Sequence, residues 1–153
     1  MSKQLSGPLA VNLSRDHILC LEGETNCDLY LIHHGTLMIC TIKGSQIIPL
    51  AYLGAGEYFG ELSFFDHLPR SATVIVMEDT SLVKIPVKEI ERQFPKWLFT
   101  MAKAISKKIR HADHLIQSHG IKKKNIKSIQ SLDMQEQTRL YQLVKKEKAK
   151  RNQ

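Results

Sequence analysis

Residues 59–73 read FGELSFFDHLPRSAT, and this segment decides both the expected fold and the expected ligand. Arg70 is the only arginine between Arg15 and Arg92. A guanidinium flanked by small residues can present parallel N–H groups to a phosphate, and backbone N–H groups can approach the same anion. Glu61 only accepts hydrogen bonds when ionised, which suits sugar hydroxyls. The segment therefore predicts a site that contacts a sugar on one side and a phosphate on the other.

The order and spacing of these residues resemble the phosphate-binding cassette of the cyclic-nucleotide-binding domain. That domain occurs in bacterial catabolite activators, protein kinase A regulatory subunits and cyclic-nucleotide-gated channels. Its pattern has Gly-Glu-Leu, about six residues, then Pro-Arg, a small residue, Ala and Thr, as in 60–62 and 69–73 here. The resemblance covers roughly residues 15–118 and implies ribose binding by Glu61 and phosphate binding by Arg70. The ligand-binding residues it implies are Gly60, Glu61, Leu62, Arg70, Ser71, Ala72 and Thr73.

The resemblance also implies the ligand, and we predict cyclic AMP in preference to cyclic GMP. Members that prefer guanine often have threonine where Ser71 stands, but serine also occurs in adenine-preferring bacterial members, so this position leaves both open. A lid over the base is expected on the following long helix, from Arg110, Asp113, His114 and Gln117. Arg110 could stack on a purine and Asp113 could accept from an exocyclic amine, although each also suits a solvated helix position.

The sequence around the segment predicts an all-β roll, because short apolar runs alternate with turns that contain Gly, Asn or Asp. The expected strands are 18–24, which runs into a turn, then 29–32, 37–42, 47–53, 73–77 and 81–85. The predicted fold is mostly β with C-terminal helices (α+β). It is an antiparallel β-roll, or jelly roll, that carries the cassette and is followed by a hinge helix and a basic helical tail.

Two prolines predict helix starts after the roll, giving a short helix at 87–93 and a longer one at about 96–118. The longer helix has an apolar stripe with steps of three and four residues. The stripe consists of Leu98, Met101, Ile105, Ile109, Ala112 and Leu115. The resemblance implies a hinge helix that moves when nucleotide binds and commonly forms a dimer interface. We predict a homodimer through helix 96–118, and the alternative is that the stripe packs on the roll.

The formal charge of +7 lies entirely at the C-terminal end. Residues 1–119 contain twelve basic and twelve acidic residues, whereas 120–153 contain ten basic and three acidic ones. We therefore predict a cyclic-nucleotide-binding domain at 1–119 and a basic, partly helical tail at 120–153. A tail helix is expected at about 132–149, with Ser131 as N-cap and a frayed charged end. The tail could dock an unknown effector protein, engage nucleic acid or anionic membrane, or simply be solvated.

The cysteines, the histidines and the sequence motifs indicate the cellular compartment and the kind of chemistry to expect. Three cysteines without Cys-x-x-Cys spacing indicate a reducing, cytoplasmic compartment, and no signal-peptide pattern or apolar run of roughly 18 residues is present. The adjacent His33 and His34 point to opposite faces of a strand, so they cannot bind one metal ion. No Ser-His-Asp or Gly-x-Ser-x-Gly arrangement appears. We expect no metal and no catalytic cofactor.

The sequence as a whole favours a receptor over an enzyme. The predicted function is a stand-alone cyclic nucleotide receptor that moves its C-terminal helix and tail to control a partner protein. The alternative is an electrostatic binding protein whose basic tail engages nucleic acid or anionic membrane, while its nucleotide pocket is vestigial or structural.

Overall fold

Eight short strands form two antiparallel sheets in the computed structural model, which describes residues 9–90, 94–119 and 131–153. The strands are β1 (Leu9–Leu13), β2 (Ile18–Cys20), β3 (Leu29–His34), β4 (Leu37–Lys43), β5 (Gln46–Leu53), β6 (Tyr58–Phe59), β7 (Thr73–Val76) and β8 (Thr80–Ile85). Sheet A has the order β1-β8-β3-β6 and sheet B the order β2-β7-β4-β5. The helices are α1 (Glu61–Asp66), α2 (Val87–Ile90), α3 (Lys96–His119) and α4 (Met134–Arg151).

The predicted β-roll with C-terminal helices is confirmed. Strands β1 and β6 were not expected, because β6 has only two residues and β1 is largely exposed. The segment 62–66 belongs to helix α1. The short helix expected at 87–93 is present as α2, and residues 91–93 lie outside the described part of the chain.

The inner strand β7 of sheet B is buried on both faces, and its side chains alternate between two clusters. All four residues of β7 are buried. Val74 and Val76 face the space between the sheets, in a cluster with Cys20, Tyr30, Ile32, Leu37, Phe59 and Leu82. Ile75 faces the other way and joins a second cluster, which consists of Ile18, Leu21, Met38, Cys40, Ile47, Leu140 and Val144. The last two residues of that cluster belong to α4, so the C-terminal helix completes the core of the roll.

Helix α4 differs from the expected frayed tail in both its start and its end. Its N-cap is Asp133, whose carboxylate accepts the Glu136 N–H at 2.8 Å, so the predicted cap at Ser131 is wrong. The helix continues to Arg151 because this side chain pairs with Glu147 and Glu24. The boundary predicted between 119 and 120 stays a prediction, since residues 120–130 lie outside the described part.

Polar contacts hold α4 across the outer face of sheet B. At strand β5, the Gln137 amide accepts the Ile47 N–H at 2.7 Å and donates to the Ile47 carbonyl oxygen at 2.6 Å. Arg139 pairs with Asp16, in the turn before strand β2, at 2.6 Å. At strand β2, on the opposite side of the sheet, the Arg151 Nη2 donates to the Ile18 carbonyl oxygen at 2.6 Å. The helix therefore spans the sheet from one outer strand to the other.

Helix α3 lies where the sequence predicts it, but its apolar residues divide between two faces. One face packs on α1, where Phe99 contacts the rings of Phe64 and Phe65 and Ser106 is buried. The other face carries Trp97, Met101, Ile105 and Ile109, which are 43–68% exposed. Part of the predicted stripe is thus uncovered in the single chain. Among the described residues, no helix combines the length and the apolar character needed to cross a bilayer.

Candidate functional site

A cavity of about 230 Å³ opens between α1 and the inner side of sheet B. Its polar end consists of Gly60, Glu61, Leu62, Ser63, Arg70, Ser71 and Ala72, and its apolar walls of Cys20, Ile39, Ala51, Leu53, Tyr58, Phe59 and Val74. The structure thus places six of the seven predicted ligand residues around one space. Thr73 is absent from the lining, because it is fully buried and its hydroxyl accepts the Glu22 N–H at 3.1 Å. We therefore assign Thr73 a role in the scaffold.

Arg70 lies at the polar end of the cavity and is only 5% exposed. Its Nη2 donates to the Asp28 carbonyl oxygen at 2.6 Å and to the Asn26 side-chain oxygen at 3.2 Å. Its Nε and Nη1 are buried and have no hydrogen-bond partner among the described residues. A buried guanidinium with unpaired N–H groups is unfavourable, because the desolvated charge is only partly compensated. These two nitrogens are the donors that an anion in the cavity would satisfy.

The backbone of Arg70 is fixed by the turn that follows β2. The Arg70 N–H donates to the Glu24 carbonyl oxygen at 2.8 Å, and the Gly23 N–H donates to the Arg70 carbonyl oxygen at 2.9 Å. This supporting loop, which includes Asn26 and Asp28, was not expected from the sequence. The sequence feature that indicates such a loop is Asn26 followed two positions later by Asp28. The Asn26 side chain accepts the Asp28 N–H, and this hydrogen bond tightens the loop.

Gly60 allows helix α1 to begin directly beside Arg70. Its backbone is left-handed, with φ of 88°, and no side chain caps the helix. A Cβ atom at this position would lie 2.3 Å from Arg70 Nη1 and 2.8 Å from the Asp28 carbonyl oxygen. Only glycine avoids both the strained φ and the overlap with the guanidinium. Glu61 follows as the first residue of α1 and is exposed at the rim, where its carboxylate is available to a ligand.

Gly60→Ala is expected to destabilise the protein and displace the Arg70 guanidinium. The left-handed backbone alone costs about 1–2 kcal/mol for a residue with a Cβ atom. Gly56→Ala is a matched control, since Gly56 has φ of 85° but a Cβ atom there would meet nothing within 4 Å. Denaturant unfolding should show a larger loss for Gly60→Ala than for Gly56→Ala, and titration should show weaker anion binding for Gly60→Ala alone. Equal losses in both variants would contradict the role assigned to Gly60.

The predicted base lid is not brought to the cavity. Arg110 pairs instead with Asp66 on α1, with Nε to Oδ2 at 2.5 Å and Nη2 to Oδ1 at 3.1 Å, and its Nη2 also donates to Ser63 at 3.2 Å. Burial alone would raise the pKa of Asp66, but hydrogen bonds from Arg110 and the Leu68 N–H outweigh it and lower this pKa. Arg110 is thus held by the buried carboxylate of Asp66, which lies within residues 59–73. This pairing was not expected from the sequence.

The other predicted lid residues also lie away from the cavity lining. Asp113 and His114 are exposed on α3 and do not line the cavity, and the side chain of Gln117 lies outside the described part of the structure. The lid assignment therefore stays a prediction that this arrangement of α3 does not support.

The apolar wall of the cavity includes the thiol of Cys20. Burial raises the pKa of Cys20 to about 11, so the thiol is protonated at neutral pH and serves as apolar surface. Within the described residues, no group of three His, Cys, Asp or Glu side chains is placed to hold a metal ion. The features of the cavity that can recognise a ligand are thus a guanidinium with two unpaired nitrogens, an exposed carboxylate and an apolar wall.

Comparison with known proteins identifies relatives with the same architecture. A model of the cyclic nucleotide-binding domain matches residues 10–96, which confirms the resemblance inferred from residues 59–73. The Cyclic AMP receptor protein of Thermus thermophilus is 33% identical over 96 residues, covering 60% of this chain and 44% of that protein. The solved Thermus thermophilus Catabolite Activator Protein aligns with a TM-score of 0.58 and 27% identity, covering 74% of this chain and 55% of that one.

A second solved relative is the EAL enzyme Bd1971, whose cAMP-bound form aligns with a TM-score of 0.61 and 29% identity. The alignment covers 73% of this chain and 31% of that chain. The same enzyme is also solved in a cGMP-bound form, which aligns with a TM-score of 0.60 and 30% identity. The present chain spans less than half the length of the curated receptor protein that it matches.

Proposed function

The chain belongs to the family of cyclic nucleotide-binding domains, and from that premise we propose that it is a receptor for cyclic AMP, with cyclic GMP as a weaker ligand. The observation that carries this proposal is the buried Arg70 guanidinium at the polar end of the cavity, whose Nε and Nη1 lack partners among the described residues. A cyclic phosphate carries one negative charge and presents two exocyclic oxygens, which can accept hydrogen bonds from a guanidinium. Binding would give these two nitrogens the acceptors that the described part of the chain does not supply.

The rest of the cavity suits the other parts of a nucleotide. Glu61 at the rim is an acceptor for a ribose hydroxyl, and the backbone around Ser71 and Ala72 borders the same polar end. The apolar wall that includes Ile39, Leu53 and other aliphatic side chains offers a surface for the purine. Asn26 and Asp28 fix the guanidinium before the ligand arrives, so little ordering is required on binding.

Titration calorimetry of the full chain tests the proposal, with cyclic AMP, cyclic GMP, cyclic di-GMP and linear 5′-AMP as ligands. We expect micromolar or tighter binding of cyclic AMP, weaker binding of cyclic GMP, and much weaker binding of the other two. The named relatives include a cyclic AMP receptor protein and an enzyme solved with either nucleotide. Tighter binding of cyclic AMP than of cyclic GMP is therefore a separate part of the proposal, in addition to binding of a cyclic mononucleotide. Absence of binding to both 3′,5′-cyclic mononucleotides would overturn it.

We propose receptor function without catalysis, and the output is proposed to come from the helices. Helix α1 borders the cavity and packs on α3 through Phe99 and the Arg110–Asp66 pair. A ligand that draws α1 toward its phosphate would therefore favour one position of α3 over another. We propose that this shift controls a partner protein. The cytoplasmic location also stays a prediction.

The uncovered face of α3 supports a proposed homodimer through helix 96–118. Trp97, Met101, Ile105 and Ile109 recur every four residues and are 43–68% exposed. Four large apolar side chains on one helix face form a patch that a two-fold partner could bury.

Ile105→Lys is expected to convert this dimer into a monomer, because it places a charge in the centre of the apolar face. Sedimentation velocity at a fixed micromolar concentration measures the mass of each species. Lys103→Glu is the control, since Lys103 is exposed on the same helix about 200° away from Met101 and Ile105, and the change alters charge outside the apolar face. A monomeric wild type, or a variant that keeps the dimer mass, would contradict the proposed interface.

An electrostatic function remains the second candidate, and it is favoured by the exposed lysines of α4. Lys145, Lys146, Lys148 and Lys150 are all exposed, while the opposite face of the helix is buried on sheet B. Binding to nucleic acid or anionic vesicles would fall steeply as salt rises and would be indifferent to Arg70→Ala.

A further inference from the structure

The loop between β2 and β3 holds Arg70 at both its backbone and its side chain. Gly23 and Glu24 exchange two backbone hydrogen bonds with Arg70, at 2.9 and 2.8 Å. Further along the loop, Asn26 and Asp28 fix its Nη2. The position of the guanidinium in the cavity therefore depends on the shape of this one loop.

The carboxylate of Glu24 connects this loop to the C-terminal helix. Its Oε2 accepts the Leu21 N–H at 3.0 Å and closes the turn, while its Oε1 pairs with Arg151 Nη1 at 2.5 Å. Arg151 is itself fixed, because its Nη2 donates to the Ile18 carbonyl oxygen and its Nε to Glu147, both at 2.6 Å. All three guanidinium nitrogens thus have partners, and the side chain is 28% exposed.

Arg151 is carried by a helix that is itself anchored in the core. Leu140 and Val144 are buried against sheet B, so the helix that carries Arg151 is anchored by that packing about two turns before this residue. Any displacement of α4 must then move or break the Arg151–Glu24 pair. Helix α4 is thus connected to Arg70 by the Arg151–Glu24 ion pair and by the two backbone hydrogen bonds that Gly23 and Glu24 make with Arg70.

We infer that Glu24 and Arg151 are positioning residues for Arg70, through which docking of α4 on the β-roll raises the affinity of the cavity for a cyclic nucleotide. The inference rests on the proposed function and adds a regulatory contact to it. Neither residue lines the cavity, so both act through the loop. Because coupling between two sites is reciprocal, nucleotide binding must also stabilise the docked state of α4.

Two variants that remove the charge, Glu24→Gln and Arg151→Gln, test this inference. Glutamine at 24 can still accept the Leu21 N–H but loses the charged pair. We expect each variant to weaken cyclic AMP binding about fivefold to tenfold, near the lower end of typical coupling between sites. The double variant should lose no more than either single variant, because both remove the same contact. Arg139→Gln is the control, since it breaks a different ion pair between α4 and the roll, to Asp16, and should leave affinity within about twofold.

Hydrogen exchange of the ligand-free protein gives a readout that does not depend on nucleotide binding. The amides of Gly23 and Arg70 should exchange several times faster in Arg151→Gln than in wild type, and at wild-type rates in Arg139→Gln. Wild-type affinity in both Glu24→Gln and Arg151→Gln would overturn the inference, as would unchanged exchange at these two amides. If wild type binds no cyclic nucleotide, the proposed function fails, while faster exchange would still support Arg151 as a positioning residue for Arg70.

Discussion

Arg70→Ala is expected to weaken cyclic AMP binding by about 2–5 kcal/mol, which corresponds to roughly 30-fold to 5,000-fold in dissociation constant. The loss should be large because the guanidinium is buried and already oriented by Asn26 and Asp28. Its two unpaired nitrogens are the donors expected to meet the phosphate. Without the guanidinium, the negative charge of the phosphate would enter a partly apolar cavity with no opposite charge beside it. Calorimetric titration of variant and wild type under the same salt conditions measures the difference.

Two further variants make this result specific to the geometry at Arg70. Arg70→Lys keeps the charge but lacks the planar, fixed set of N–H donors, so its affinity should fall between those of wild type and Arg70→Ala. Arg15→Ala removes the same charge at an exposed position outside the cavity lining and should change affinity little. An Arg70→Ala variant that folds and binds within twofold of wild type would refute the assignment of the phosphate site.

Leu140→Ala is expected to lower the free energy of unfolding by about 2–5 kcal/mol, as for other fully buried leucines. Leu140 has no exposed surface and packs in the cluster with Ile18, Met38 and other residues of sheet B. The substitution leaves a void between helix and sheet that a rigid β-roll cannot fully close. For a protein of this length, the expected decrease in melting temperature is roughly 4–20 °C. Denaturant unfolding followed by circular dichroism gives the free energy directly.

Met134→Ala is the matched control on the same helix, since Met134 is 83% exposed. Exposed substitutions of this kind usually change stability by no more than about 0.5 kcal/mol. If Leu140→Ala were equally mild, α4 would not pack on sheet B in solution, and the proposed route from Arg151 to Arg70 would lose its support.

The roll and the polar end of the cavity could be predicted because their signals are local. Strand positions follow from short apolar runs and turn residues, and residues 59–73 place Gly60, Glu61 and Arg70 in a fixed order along the chain. The pairs that support the site join distant parts of the chain instead. Arg110 and Asp66 are 44 residues apart, and Arg151 and Glu24 are 127 residues apart. Single-sequence patterns do not indicate which charges at such separations meet.

The docking of α4 was signalled in the sequence by a strand and not by the helix itself. Strand β4 reads LMICTIK, with apolar residues at consecutive positions, which is typical of a strand covered on both faces. The helix has a narrow apolar face and many lysines, which left open whether the tail docks a partner or is solvated. A second cover for Met38 and Cys40 was therefore required, but the sequence did not indicate which segment supplied it.

The hydrogen bonds from Gln137 to Ile47 have a consequence for solubility. Strand β5 ends sheet B, and its free backbone groups are a template on which a strand of another molecule could add. Gln137 occupies both the N–H and the carbonyl of Ile47 at this border. A chain cleaved before α4 would expose that template beside the apolar surface of Ile47 and Met38, and such fragments would aggregate through intermolecular β-pairing.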